Sequence, residues 1–190
     1  IGEARALLRL RDIAKNGLAM LRSGVFDAWF PLQKSVAHWM GETKFRKRPA
    51  PLIGRTDVRD LEKDLRPGDI LLERGNWNLS NVGLPGFWPH AALYIGSPAR
   101  LRAALGGRDV ELRKRHGSKW RRFLEAHEDG RPRAVIEALG TGVDFNSLER
   151  SAGADYVAVL RPRVPAPEIV AAVDRAFGYV GRPYDFDFDF

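Results

Sequence analysis

Four short apolar runs constrain this chain more than any other feature: Asp69–Glu73 (DILLE), His90–Ile95 (HAALYI), Ala134–Leu139 (AVIEAL) and Tyr156–Leu160 (YVAVL). Runs this short, bounded by Gly, Pro and Asn, read as strands. Between and after them lie segments of helical periodicity, Leu101 to Leu105, Ser118 to His127 and Pro167 to Tyr179, the last closed by Gly181 and Pro183. No internal repeat is visible. Interleaved strands and helices of this kind predict an α+β fold with a mostly antiparallel sheet.

The N-terminal third reads differently. Leu7, Leu10, Ile13, Ala14, Leu18 and Leu21 recur at helical spacing among Arg9, Arg11, Lys15 and Arg22, which predicts an amphipathic helix from Glu3 to Arg22. Pro31 opens a second helical stretch with Leu32, Val36, Trp39 and Met40 on its apolar side. Lys44 to Gly54, with Pro49 and Pro51, reads as a linker, and the domain boundary is expected near residue 66. The division expected is thus a basic helical extension and linker over 1–66 and a second domain over 67–190.

With 44% hydrophobic and 29% charged residues, the chain can bury a core and is not a disordered tail. It has no cysteine, so these residues hold no disulfide, no thiolate-ligated zinc and no thiol nucleophile. The net charge of +7 sits in two blocks: +6 over 1–66 and +6 over 97–133, against −1 over 67–96 and −4 over 134–190. The 25 residues from 75 to 99 lack any Asp, Glu, Lys or Arg. They are not a membrane span, because Pro85, Pro89 and Pro98 with Asn76, Asn78 and Asn81 would leave polar groups unpaired in hydrocarbon. The first residue is Ile1 and the last, Phe190, falls in an alternating Asp/Phe run, so both ends read as cut and targeting signals are unreadable.

Generic signatures are scarce. There is no G-x-S-x-G and no Walker loop, and Gly140-Thr141-Gly142 lacks the third glycine of a dinucleotide fingerprint. Asp185, Asp187 and Asp189 imitate a calcium loop, but Phe190 stands where that loop needs glycine, and a solvated edge strand is the expectation. No metal site and no cofactor are expected. On one helix His116 and His127 would share a face but stand about 16 Å apart, too far to share a metal, and both are expected at the surface. His38, beside Trp39 and Met40, reads as a core or interfacial histidine.

Two residues stand out. His90 opens an apolar strand directly after Trp88 and Pro89, where a side chain stands at the rim of a cleft on a rigid element. Glu137 interrupts Val135, Ile136, Ala138 and Leu139; it reads either as a buried carboxylate that needs a partner such as a histidine N–H, or as a residue on the solvent face of an edge strand. Trp77, Trp88 and Phe87 flank His90, and they read either as an apolar wall for a substrate or as core packing.

From Leu65 onward the chain resembles a known family. The matching pieces are Arg66-Pro67-Gly68-Asp69-Ile70-Leu71-Leu72, Pro89-His90-Ala91-Ala92-Leu93-Tyr94-Ile95-Gly96, Val135-Ile136-Glu137-Ala138 and Gly181-Arg182-Pro183-Tyr184-Asp185-Phe186. They resemble, in order, the permuted papain-like group of the NlpC/P60 superfamily, specifically the bacterial YiiX/YaeF-type hydrolases, with a more distant similarity to lecithin retinol acyltransferase-like proteins. The resemblance implies a papain-like, circularly permuted antiparallel sheet packed with helices. It also implies a catalytic order of histidine, polar or acidic residue, then cysteine. His90 and Glu137 match the first two places, and Trp88, Trp77 and Tyr94 are the substrate-binding candidates. The third place is missing, so the sequence is expected to be truncated before its nucleophile and the 190 residues to be inactive. The substrate implied is an amide or ester, in a peptide, a cell-wall peptide or a lipid.

A second reading is a non-catalytic module whose basic blocks dock an anionic membrane surface, chiefly through residues 1–66. Nucleic acid ranks below it, because charge is its whole support.

Overall fold

The computed structural model describes residues 50–76 and 87–184. The helices expected at Glu3 to Arg22 and after Pro31, His38, Trp77 and the Asp185 to Asp189 alternation lie outside the described residues. The element order is α1 (Arg55–Asp64), β1 (Ile70–Arg74), β2 (His90–Tyr94), α2 (Pro98–Leu105), α3 (Asp109–Arg115), α4 (Gly117–Leu124), β3 (Arg133–Leu139), β4 (Gly142–Ser147), α5 (Leu148–Ser151), β5 (Tyr156–Leu160) and α6 (Ala166–Tyr179). The fold is α+β, as expected from the sequence.

Five strands form one sheet in the order β4-β3-β2-β1-β5, and every neighbouring pair is antiparallel. Alternation along the strands sends side chains to two faces. One face carries Leu93, Ile136 and Phe145, which pack with Leu101, Leu105, Leu112, Trp120, Phe123, Val173 and Phe177 from the helices α2, α3, α4 and α6. The other carries Leu71, Ala92, Tyr94 and Val135, which pack with Val58 of α1 and Leu148 of α5. Both faces are therefore covered, and β2 and β3 are interior strands.

The motif at the start of β1 is a structural turn. Asp69, 2% exposed, accepts from the backbone N–H of Arg66 and from Nε and Nη2 of Arg161 at 2.8–2.9 Å. Gly68 has φ +99°, and a Cβ there would come within 2.6 Å of Ile169 on α6.

Several expectations are corrected. The helix α1 lies in the stretch assigned to an extension, yet Val58 and Leu65 are buried in the second core cluster, so the folded unit takes in residues N-terminal of 66. Gly140-Thr141 is a tight turn between β3 and β4, a strand too polar to register as one. The helix expected to run to His127 ends at Leu124, where Glu125 turns extended. His127 is 8% exposed and its Nδ1 lies 3.1 Å from Asp129. His116 caps α3, places Nε2 2.9 Å from Asp174 and packs its ring on Phe177. The two histidines are held in place by carboxylates, and the expectation of surface positions fails for that reason.

Candidate active site

His90, the first residue of β2, lies on the same sheet face as Ala92 and Tyr94 by strand alternation. Glu137 lies on the matching face of β3, two residues beyond Val135. The sheet brings them together: His90 Nε2 is 2.6 Å from Glu137 Oε2. The imidazole keeps 28% of its side-chain surface exposed while the carboxylate keeps 3%. Glu137 is thus the buried partner, and its placement on an interior strand excludes the solvent-edge alternative.

Each oxygen of Glu137 has a donor. Asn146 of β4 donates from Nδ2 to Oε1 at 2.8 Å, which leaves Oε2 for the ring. Buried carboxylates require such satisfaction, because an unpaired one is strongly disfavoured. A carboxylate accepts, so the ring donates from Nε2–H, and Nδ1 is the nitrogen that remains to take up or deliver a proton. Burial disfavours the imidazolium, but the hydrogen bond to Glu137 and the charges of Glu137 and Glu73 outweigh it and raise the pKa of His90.

Glu73 is a third member that the sequence reading missed. It is the register partner of His90 across β1 and β2, is 7% exposed, and accepts from Ser151 Oγ at 2.8 Å. Burial and the neighbouring Glu137 push its carboxyl up to about 7, against the opposing pull of His90 and Ser151. One donor atom from each of Glu73, His90 and Glu137 lies within 4.8 Å of the other two. His90 and Glu137 are hydrogen-bonded to each other, and Glu73, bonded to Ser151, stands beside them, so the three form an acid–base cluster. In the sequence Glu73 looks like the polar end of DILLE; its alternation with Leu71 was the available signal. Asn146 and Ser151 sit in VDFNSLERS, which has no periodicity to single them out.

The aromatic candidates divide. Trp88 is half-buried and stacks edge-on with Phe87 at 4.9 Å, and Phe87 contacts Tyr156 at 5.4 Å. Phe87 and Tyr156 are 50% and 42% exposed, and Arg74 lies 4.7 Å above the Phe87 ring. Tyr156, opposite Arg74, lies by strand alternation on the sheet face away from His90, which leaves Trp88, two residues before His90 in the chain, as the aromatic neighbour nearest to it in sequence. Tyr94 is fully buried in the core, and its hydroxyl accepts from Arg100 Nη1 at 3.3 Å. Four residues along a strand is about 13 Å, so the structure does not bring Tyr94 to the site.

The family model described as "Permuted papain-like amidase enzyme, YaeF/YiiX, C92 family" matches residues 64–190. The chain belongs to this family of permuted papain-like amidases. No curated protein and no solved structure matches it. The matched span holds every element from β1 to α6, and with it His90, Glu137 and Glu73. It also holds the Gly181-Arg182-Pro183 segment, which docks on β4 through Gly181 N–H to Val143 O at 2.8 Å and Val143 N–H to Arg182 O at 2.9 Å.

The basic block at 97–133 is largely engaged within the fold. Arg102 and Arg113 pair with Asp109, Lys114 with Glu111, Arg115 with Asp174, Arg122 with Asp144 and Arg131 with Glu149. Of the other basic block, 1–66, residues 1–49 lie outside the described residues. Among the described residues no helix is long and apolar enough to cross a membrane.

Proposed function

We propose that this chain carries the His–Glu portion of a cysteine-dependent amide hydrolase of the permuted NlpC/P60 type, able by the same acyl transfer to cleave esters. His90 is the general base and acid, and Glu137 orients it. The observation that carries the reading is the 2.6 Å bond from His90 Nε2 to a buried carboxylate that Asn146 holds from behind. The nucleophilic thiol comes from outside these 190 residues, which contain no cysteine.

In the proposed reaction Nδ1 of His90 takes the thiol proton and the thiolate attacks the amide carbonyl carbon. His90, now imidazolium and stabilised by Glu137, returns that proton to the nitrogen as the carbon–nitrogen bond breaks, leaving a thioester. Water then attacks the thioester while Nδ1 accepts its proton, and the proton passes to the departing sulfur. The acid product and the free thiol are restored together. Trp88, with Phe87, is the candidate apolar wall for the acyl or peptide side chain, and Trp77 is a further candidate for it. Peptides, cell-wall peptides and lipids are the substrate classes.

The test begins with the coding sequence beyond the codon for Phe190, where a cysteine opening an apolar helix is expected. The protein that includes it should hydrolyse a peptide amide, and His90→Ala should lower turnover by about 10²–10⁴-fold. Glu137→Ala should cost less, because an orienting residue is less essential than the base. Unchanged turnover in His90→Ala would remove His90 from the mechanism.

A further inference from the structure

Two carboxyl groups face one imidazole here, and orienting the ring requires one. In the sheet β2 lies between β1 and β3, so Glu73 approaches His90 from one neighbouring strand and Glu137 from the other. Glu73 is buried and fixed: Ser151 of α5 donates to it at 2.8 Å, and on β5 it stands opposite the apolar Val157. Glu149, also on α5, is paired with Arg131. The charges that bear on Glu73 are those of Glu137 and His90.

Two ionised carboxylates around one imidazolium leave a net negative charge in a largely buried place, and like charges this close resist ionising together. One additional proton neutralises the cluster. Burial and Glu137 act on Glu73 in that direction, up to about 7, whereas Glu137 is engaged by both Asn146 and the ring. We propose that Glu73 is a positioning residue for His90: held by Ser151, it shares the imidazole with Glu137 and, by keeping or losing its own proton, sets the pH at which His90 can accept one. With Glu73 protonated, His90 and Glu137 form a one-to-one pair. Once Glu73 ionises, a second carboxylate favours the imidazolium and His90 becomes a stronger base. The titration of the ring is then shared between two groups. The inference rests on reading His90 and Glu137 as an acid–base pair.

The test follows the ring ¹³Cε1 resonance of His90 by NMR from about pH 4 to about pH 10, in the present chain and in Glu73→Gln. Gln keeps the acceptor for Ser151 and removes the charge. The chain itself should show a two-step curve with one step near 7, and Glu73→Gln a single step moved down by about one pH unit. Superimposable His90 curves overturn the proposal. Should Glu73→Gln fail to fold, the ¹³Cδ resonance of Glu73 in the unaltered chain decides. An inflection near 7 shared with His90 supports the coupling, and one at the ordinary glutamate value of 4.5 overturns it. These measurements need no thiol, so they stand apart from the hydrolase reading. Conversely, an active full-length amidase whose acidic kcat/KM limb is unmoved in Glu73→Gln rejects the role of Glu73 and leaves the hydrolase intact.

Discussion

Glu73 and His90 both bind their protons more tightly in the fold than in an open chain. For Glu73 the folded value of about 7 lies above the ordinary 4.5, so the folded state retains a proton that the unfolded state has lost. Stability from this group is therefore full below about 4.5 and falls as the pH rises through about 7. Above that, the buried charge opposes folding. Glu73→Gln has no proton to lose and should be more stable than the unaltered chain at about pH 9 by about 2 kcal/mol, and close to it at about pH 5, in urea unfolding at the two pH values. An equal difference at both would show that ionisation of Glu73 does not reach stability. At this scale the sequence disclosed His90 and Glu137 because each breaks an apolar context. It could not disclose Asn146 or Ser151, because their roles depend on strand register and on a one-turn helix rather than on neighbours in the chain.

The elements show why some segments were legible and others were not. Strands β1, β2, β3 and β5 emerged from the sequence because they are nearly continuous apolar runs: β2 and β3 pack a core cluster on each face, and the edge strand β5 packs Val157 and Val159 on one face while Tyr156 and Leu160 stay exposed on the other. β4 was missed because Asp144, Asn146 and Ser147 make polar contacts, with Arg122, Glu137 and Asp129 respectively, and so break the pattern. The helices α1 and α3 were missed because each buries few apolar side chains, Val58 in one and Leu112 in the other. At the turn into β4, Gly142 has φ +115°, and a Cβ would come within 2.5 Å of the Arg182 carbonyl. Gly142→Ala should lower stability by about 1–3 kcal/mol through both strain and displacement of the 181–183 segment. On α6, Phe177 is fully buried against Trp120, Phe123 and Phe145. Phe177→Ala should cost about 3–5 kcal/mol in chemical denaturation, and a loss below 1 kcal/mol would contradict the packing described.

Across the whole molecule, the family match starts at residue 64 but the folded unit does not. Val58, Leu61 and Leu65 pack against the sheet face that carries His90, Glu137 and Glu73. A fragment starting at Asp64 should melt at a lower temperature than one starting at Ala50, and its site should suffer with it, because α1 covers that face. Equal melting temperatures would show α1 to be dispensable. What the sequence by itself determined is the set of short apolar strands, the α+β class, the order of the family motifs and the two residues His90 and Glu137. These follow from local properties, namely periodicity and the identity of a few side chains. The tertiary structure decided the pairing of β2 with both β1 and β3. That pairing sets two carboxylates on one imidazole, seats Asn146 and Ser151 behind them and moves Tyr94 into the core. The physical reason is that antiparallel register fixes which side chains from distant strands share a face, and register is a property of the assembled sheet.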